Sequence, residues 1–152
     1  MASVKGRMEL KSLVLRQVSA SILNKEKEKR YNLSKQGLQG EELEKLCHLI
    51  DEEVIEVIAS EAKKSREAIV EFEKGQRQDL VAKEKAELEI LNKYLPQQLT
   101  EEEVKEIAEK IVKELGVQTA KDMGKVMAAL MPKLKGRADG GLASRVVKGL
   151  LS

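Results

Sequence analysis

The sequence predicts an all-α protein, with an N-terminal antiparallel helical bundle over residues 1–95 and a small C-terminal three-helix domain over residues 100–152. Three observations carry this prediction. The 152 residues are 41% apolar yet include one Phe, two Tyr and no Trp, so the core must be filled by Leu, Ile, Val, Ala and Met, which suit helix-on-helix packing. Charged residues make up 36% and there are only two prolines, so strong helix formers dominate. Apolar positions recur every three or four residues along most of the chain, the helical and not the strand period.

The first helix is expected from about Val4 to Arg30, with Leu10, Leu13, Val14, Val18, Ile22 and Leu23 on its apolar face. Asn32, Ser34, Gly37 and Gly40 then interrupt the pattern, which reads as a loop from Tyr31 to Gly40. From Glu41 a long helix follows, carrying Leu43, Leu46, Ile50, Val54, Val57, Ile58, Ala62, Ile69 and Phe72; unbroken, it spans about 45 Å. Gly75 is its expected stop. A third helix with Leu80, Val81, Leu88, Leu91 and Leu95 ends at Pro96, and these three helices can bury their stripes against one another.

The second unit has sharper punctuation. Thr100 and Glu103 form a capping box, and Gly116 supplies a left-handed stop after Leu115. Val104, Ile107, Ala108, Ile111, Val112 and Leu115 are expected to face inward between them. Thr119 and Asp122 suggest a second box before a short helix bearing Val126, Met127 and Leu130, which Pro132 is expected to close. Met123, Met127 and Met131 read as core filler. Asp139 is placed to N-cap a last helix whose apolar face is Leu142, Val146, Val147 and Leu150.

The net charge of +2 conceals segregation: residues 1–40 hold nine Lys or Arg against three acids, 41–120 hold twelve against twenty-one, and 121–152 hold seven against two. An anionic partner is therefore expected at an end of the chain. Cys47 is alone, so no intrachain disulfide forms, and a cytoplasmic location is the default expectation. No apolar run approaches the roughly 20 residues that cross a bilayer, and basic Val4–Arg30 reads as a working helix and not a transit peptide. No membrane role is expected.

The inventory for catalysis is thin. His48, the single histidine, adjoins Cys47, but neighbours on a helix point about 100° apart and cannot face one pocket as a nucleophile-base pair. A half-buried cysteine and a surface or boundary histidine are expected instead. Asp51, Glu52, Glu53 and Glu56 read as a solvated helix face, and no phosphate-cradling glycine motif is present. No catalytic residue, metal site or cofactor is predicted.

The stretch Met131-Pro-Lys-Leu-Lys-Gly-Arg-Ala-Asp-Gly140, with Gly141, is the most informative. Lys121, Lys125, Lys133, Lys135, Arg137, Arg145 and Lys148 surround it, and Gly136, Gly140 and Gly141 permit close backbone approach. Arginine grips phosphate bidentately and lysine adds a mobile point charge. Asp139, as an N-cap, would occupy amides that an anion could otherwise use. Charge density alone leaves two readings open, a solubilised tight connection and a nucleic-acid contact. Tyr31, Phe72 and Tyr94 lie outside the turn, so any nucleic acid is met through backbone and shape, which suits folded RNA.

Tyr94-Leu-Pro-Gln-Gln-Leu-Thr-Glu-Glu-Glu103, Asp122-Met-Gly-Lys-Val-Met127 and the stretch Met131–Gly140 together resemble the YqeY-like family, with Leu15-Arg16 and Glu71-Phe72 as weaker matches. That family is related to the C-terminal tail domain of GatB, the B subunit of the glutamine-dependent aspartyl/glutamyl-tRNA amidotransferase. The resemblance implies a tail domain that cradles the outer corner of tRNA, with amide transfer and glutamine hydrolysis performed elsewhere. It points to Lys125, Lys133, Lys135, Arg137 and Arg145 as nucleic-acid contacts and to Pro132, Gly136, Asp139 and Gly140 as structural motif positions.

The expected function is thus a tRNA- or RNA-binding accessory protein whose partners are tRNA, or other structured RNA, and amidotransferase subunits. One alternative is a helical protein-protein adaptor that docks through the acidic helix. Another, implied by the resemblance only, is carbon-nitrogen ligase activity with glutamine as amido-N-donor.

Overall fold

The computed structural model describes residues 4–151. Among them are seven α-helices: α1 (Val4–Lys35), α2 (Gly40–Cys47), α3 (Asp51–Lys74), α4 (Gln78–Asn92), α5 (Glu101–Leu115), α6 (Met123–Leu134) and α7 (Gly140–Leu151), with one 3-10 turn at Ala120–Asp122. The fold is all-α. The chain divides into two compact units, Met1–Tyr94 and Leu95–Ser152.

In the first unit, α3 packs on α4, and α1 packs on α2, α3 and α4. Ser21 Oγ donates to Glu61 Oε1 at 3.0 Å and Lys29 Nζ to Glu53 Oε2 at 2.8 Å, so later positions in α1 meet earlier ones in α3 and the two helices are antiparallel. Val14, Val18, Val57, Ile58, Ala62, Ile69, Val81 and Leu91 are buried, as the apolar periodicity requires. Leu13, Leu23, Leu46 and Ile50, which share that periodicity, are exposed.

Three boundaries differ from the sequence reading. Helix α1 continues through Asn32 and Ser34, because Leu33 adds a half-buried contact and the stop falls at Gly37, φ +97°. There Gly37 N–H donates to Ser34 O at 3.0 Å and Leu38 N–H to Leu33 O at 3.2 Å, a Schellman closure with its apolar pair. The expected long helix is broken at 48–50 into α2 and α3. Polar side chains hold this joint: Glu26 Oε1 accepts from Leu49 N–H at 3.2 Å, Lys29 Nζ donates to His48 O at 3.0 Å, and Glu53 Oε2 accepts from Ile50 N–H at 2.9 Å. The stop of α3 falls at Gly75 as expected, although its φ is an ordinary −78° and the left-handed residue is Gln76, φ +56°. Lastly, helix α4 ends at Asn92, short of Pro96.

Cys47 is buried, more fully than expected, with its thiol donating to Glu44 O at 3.3 Å. The exposed His48 turns to Glu26 instead, with Nδ1 and Oε1 at 3.3 Å, so the two residues make no nucleophile-base pair.

Glu87 is a charged residue inside this unit, 7% exposed, beside Gln17, Glu61 and Ser65. Burial, reinforced by Glu84, pushes its carboxyl above the ordinary value against a smaller opposing pull from Lys83, whose Nζ lies 4.0 Å away. The unfolded carboxyl releases its proton at lower pH than the folded one. Stability therefore falls as pH rises between the two values, and the penalty is absent in acid. Glu87→Gln is expected to raise Tm at neutral pH and to lose that advantage as the pH is lowered and the native carboxyl takes up its proton. Equal melting temperatures for both proteins at neutral pH would contradict this.

Candidate nucleic-acid interface

The second unit is built on helices whose ends are specified locally. Thr100 Oγ1 accepts from Glu103 N–H at 3.3 Å, and Glu103 Oε2 accepts from Thr100 N–H at 2.8 Å, completing the capping box of α5. Gly116, φ +64°, closes that helix. Each of α5, α6 and α7 packs on the other two, around Val104, Ala108, Ile111, Val126, Leu130, Leu134, Ala143, Val146, Val147 and Leu151. Met123 and Met127 pack against this core, whereas Met131 is exposed, and so is Leu115, which lies in the last turn of α5 and not on its buried face. The second capping box does not form. Thr119 Oγ1 donates to Asp122 Oδ2 at 3.1 Å, and the 3-10 turn takes the place of the expected first turn.

Pro132 does not close α6; the helix runs on to Leu134. A proline inside a helix costs about 3 kcal/mol through its missing N–H and its ring, but here it sits in the last turn, and Leu134 is fully buried beside Leu130. Burying a leucine returns roughly 2 kcal/mol. The real stop is a type II turn: Lys135 has φ −55° and ψ 120°, Gly136 has φ +72°, and Arg137 N–H donates to Leu134 O at 2.8 Å. Only glycine adopts that second position without strain. Asp139 then caps α7, its Oδ1 accepting from Gly141 N–H at 3.2 Å. A Cβ on Gly141 would lie 3.4 Å from the Asp139 carboxylate, which is van der Waals contact. At Gly140 a Cβ would touch the Met131 methyl at 3.5 Å, an ordinary contact.

A segment that reads as a mere linker in the sequence braces the turn. Leu99 N–H donates to Arg137 O at 2.8 Å, and Gln98 Nε2 donates to both Pro96 O, at 2.9 Å, and Gly136 O, at 2.8 Å. Arg137 Nε reaches Gln97 O at 3.4 Å. Sequence reasoning missed Gln98. The available signal was a pair of long amide side chains in a connector too short to need them.

The cations are not all assembled in one place. Lys133, Lys135 and Arg137 lie together at the end of α6 and on the turn, with both lysines exposed and Arg137 half-buried. No carboxylate pairs with Lys133 among the described residues. Lys125 stands about 12 Å back along α6 from Lys133, by the helical rise, and its Nζ lies 3.9 Å from Asp122 Oδ1. Arg145 Nη2 lies 3.7 Å from Glu101 Oε2. These two cations are partly neutralised by their acidic neighbours.

Elsewhere the acidic stretch of α3 is partly committed to structure. Glu53 serves the α2–α3 joint, and Asp51 and Glu52 occupy the first turn of α3, where the helix dipole favours them. Among the described residues no three His, Cys, Asp or Glu side chains are grouped to hold a metal ion, and no helix is long and apolar enough to cross a membrane.

Fold and site together define a small all-helical protein that presents a braced, cationic turn between two short helices. The family model described as Yqey-like protein matches residues 1–151, and the chain belongs to that family. No curated protein matches the sequence.

Proposed function

We propose that this protein binds structured RNA, tRNA foremost, through Lys133, Lys135 and Arg137, and serves as an accessory to glutamine-dependent tRNA amidotransferase chemistry. The observation that carries the reading is the bracing of the turn from within its own unit. Leu134 O, Gly136 O, Arg137 N–H and Arg137 O all have partners there, so the cationic side chains are held on a fixed support. Preorganisation of this kind lowers the entropic cost of gripping a phosphate. Membership of the Yqey-like family, read with the relation of that family to the tail domain of the amidotransferase B subunit which the resemblance of Met131–Gly140 implies, favours tRNA over other polyanions.

No aromatic residue occurs in the turn itself, so base stacking has no platform within it. Contacts are therefore to phosphates and to the shape of a folded RNA, and they should depend on salt. With three phosphates neutralised, log affinity for tRNA should fall against log salt with a slope of roughly −3, which is about a 50-fold loss between ~50 and ~200 mM salt. Filter binding of the full chain to tRNA over that range measures the slope. A flat profile, or no saturable binding at the lower salt, would refute the reading.

A further inference from the structure

We infer that Gln98 is the positioning residue of the RNA-gripping turn: its side-chain amide fixes the backbone at Gly136 so that Lys133, Lys135 and Arg137 engage phosphates together. The inference rests on the RNA reading above and assigns a role to a residue outside the cationic set.

The geometry supports it in three steps. Both partners of the Gln98 side chain, Pro96 O and Gly136 O, are carbonyl oxygens, so only the amide nitrogen can face them, and both its protons are used at 2.9 and 2.8 Å. Gly136 is the left-handed corner of the type II turn, and its carbonyl belongs to the peptide that joins Gly136 to Arg137. Holding that oxygen fixes the rotation of this peptide, and with it the direction in which the Arg137 side chain departs. The Leu99 N–H bond to Arg137 O, at 2.8 Å, holds the next carbonyl. Two successive turn carbonyls are thus pinned by two successive residues, Gln98 and Leu99. Arg137 Nε rests on Gln97 O, which leaves the forked end of the guanidinium to meet an anion.

Without this brace a glycine corner is free to sample other conformations. The three cations would still be present and the local charge unchanged. What would be lost is their simultaneous engagement, and the number of counterions released on binding counts the phosphates engaged together.

Gln98→Met tests this in the full chain, because it preserves side-chain length and neutrality and removes both donors. Two readouts are needed. Hydrogen exchange without RNA should show the Leu99 and Arg137 amides exchanging about tenfold faster, while Val126, Leu130 and Val147 in the core keep their protection. Filter binding to tRNA should show about tenfold weaker affinity at ~50 mM salt and a salt slope shallower by about one. A role confined to stability would lower Tm and leave the slope at the wild-type value. Wild-type exchange at Leu99 and Arg137, or a wild-type slope in the variant, overturns the positioning role while leaving the RNA reading in place. Failure of the wild-type chain to bind tRNA overturns the RNA reading and the positioning role with it.

Discussion

Replacing Lys133, Lys135 and Arg137 together by alanine is expected to weaken tRNA binding by about 100-fold at ~50 mM salt and to bring the salt slope close to zero. The fold should survive. Both lysine side chains are exposed, and the bonds that tie Arg137 to Leu134 and Leu99 are made by its main chain, which alanine retains. The lost contact from Arg137 Nε to Gln97 O is long, at 3.4 Å, and exposed, so the change in stability should stay within about 0.5 kcal/mol. A matched control removes the same charge elsewhere. Lys105, Lys110 and Lys113 are exposed on α5, and their joint replacement by alanine should cost less than about threefold in affinity if the turn, and not net charge, does the gripping. Equal losses in the two triple variants would reduce the interaction to non-specific attraction. Wild-type binding by the turn variant would end the proposal.

Leu130→Ala is expected to cost about 3–5 kcal/mol, because the side chain is fully buried and its removal loses transfer free energy and leaves a cavity. It sits at the centre of the second unit, flanked one turn away by Val126 and Leu134, both also fully buried. A unit of about 60 residues has little stability in reserve, so this one truncation should leave it largely unfolded near 37 °C. Urea titration with hydrogen exchange read at Val104 and Val147 measures the effect. Since the RNA-gripping turn is braced from within the same unit, tRNA binding should fail in parallel. Retained protection at both amides would show that neighbouring side chains collapse to fill the gap.

What could be read from the sequence, and what could not, divides along physical lines. The α5 box of Thr100 and Glu103 and the Gly116 stop were legible because each is a contact between residues close in the chain. So was the Asp139 cap, two residues from its partner Gly141. The α2–α3 break was hidden, since Glu26 and Lys29, more than fifteen positions earlier in the sequence than Leu49 and Glu53, supply half of what holds it. Pro132 misled for a related reason: its local cost is real, but burial of Leu134 is a tertiary term that no local rule contains. At the site, the cations were visible as residue types, yet the separation of Lys125 and Arg145 from the turn by Asp122 and Glu101 was not. Gln98 was the deepest omission, because its value lies in reaching Gly136 across 38 positions of chain.

The confinement of every aromatic side chain to the first unit has a practical corollary for spectroscopy. Near-ultraviolet aromatic absorption arises from Tyr31, Phe72 and Tyr94 alone, and tyrosine emission from Tyr31 and Tyr94, so the second unit contributes no aromatic signal in that region. Far-ultraviolet circular dichroism records the helices of both. A melt followed at the two wavelengths therefore separates the unfolding of one unit from that of the other in a single unlabelled sample.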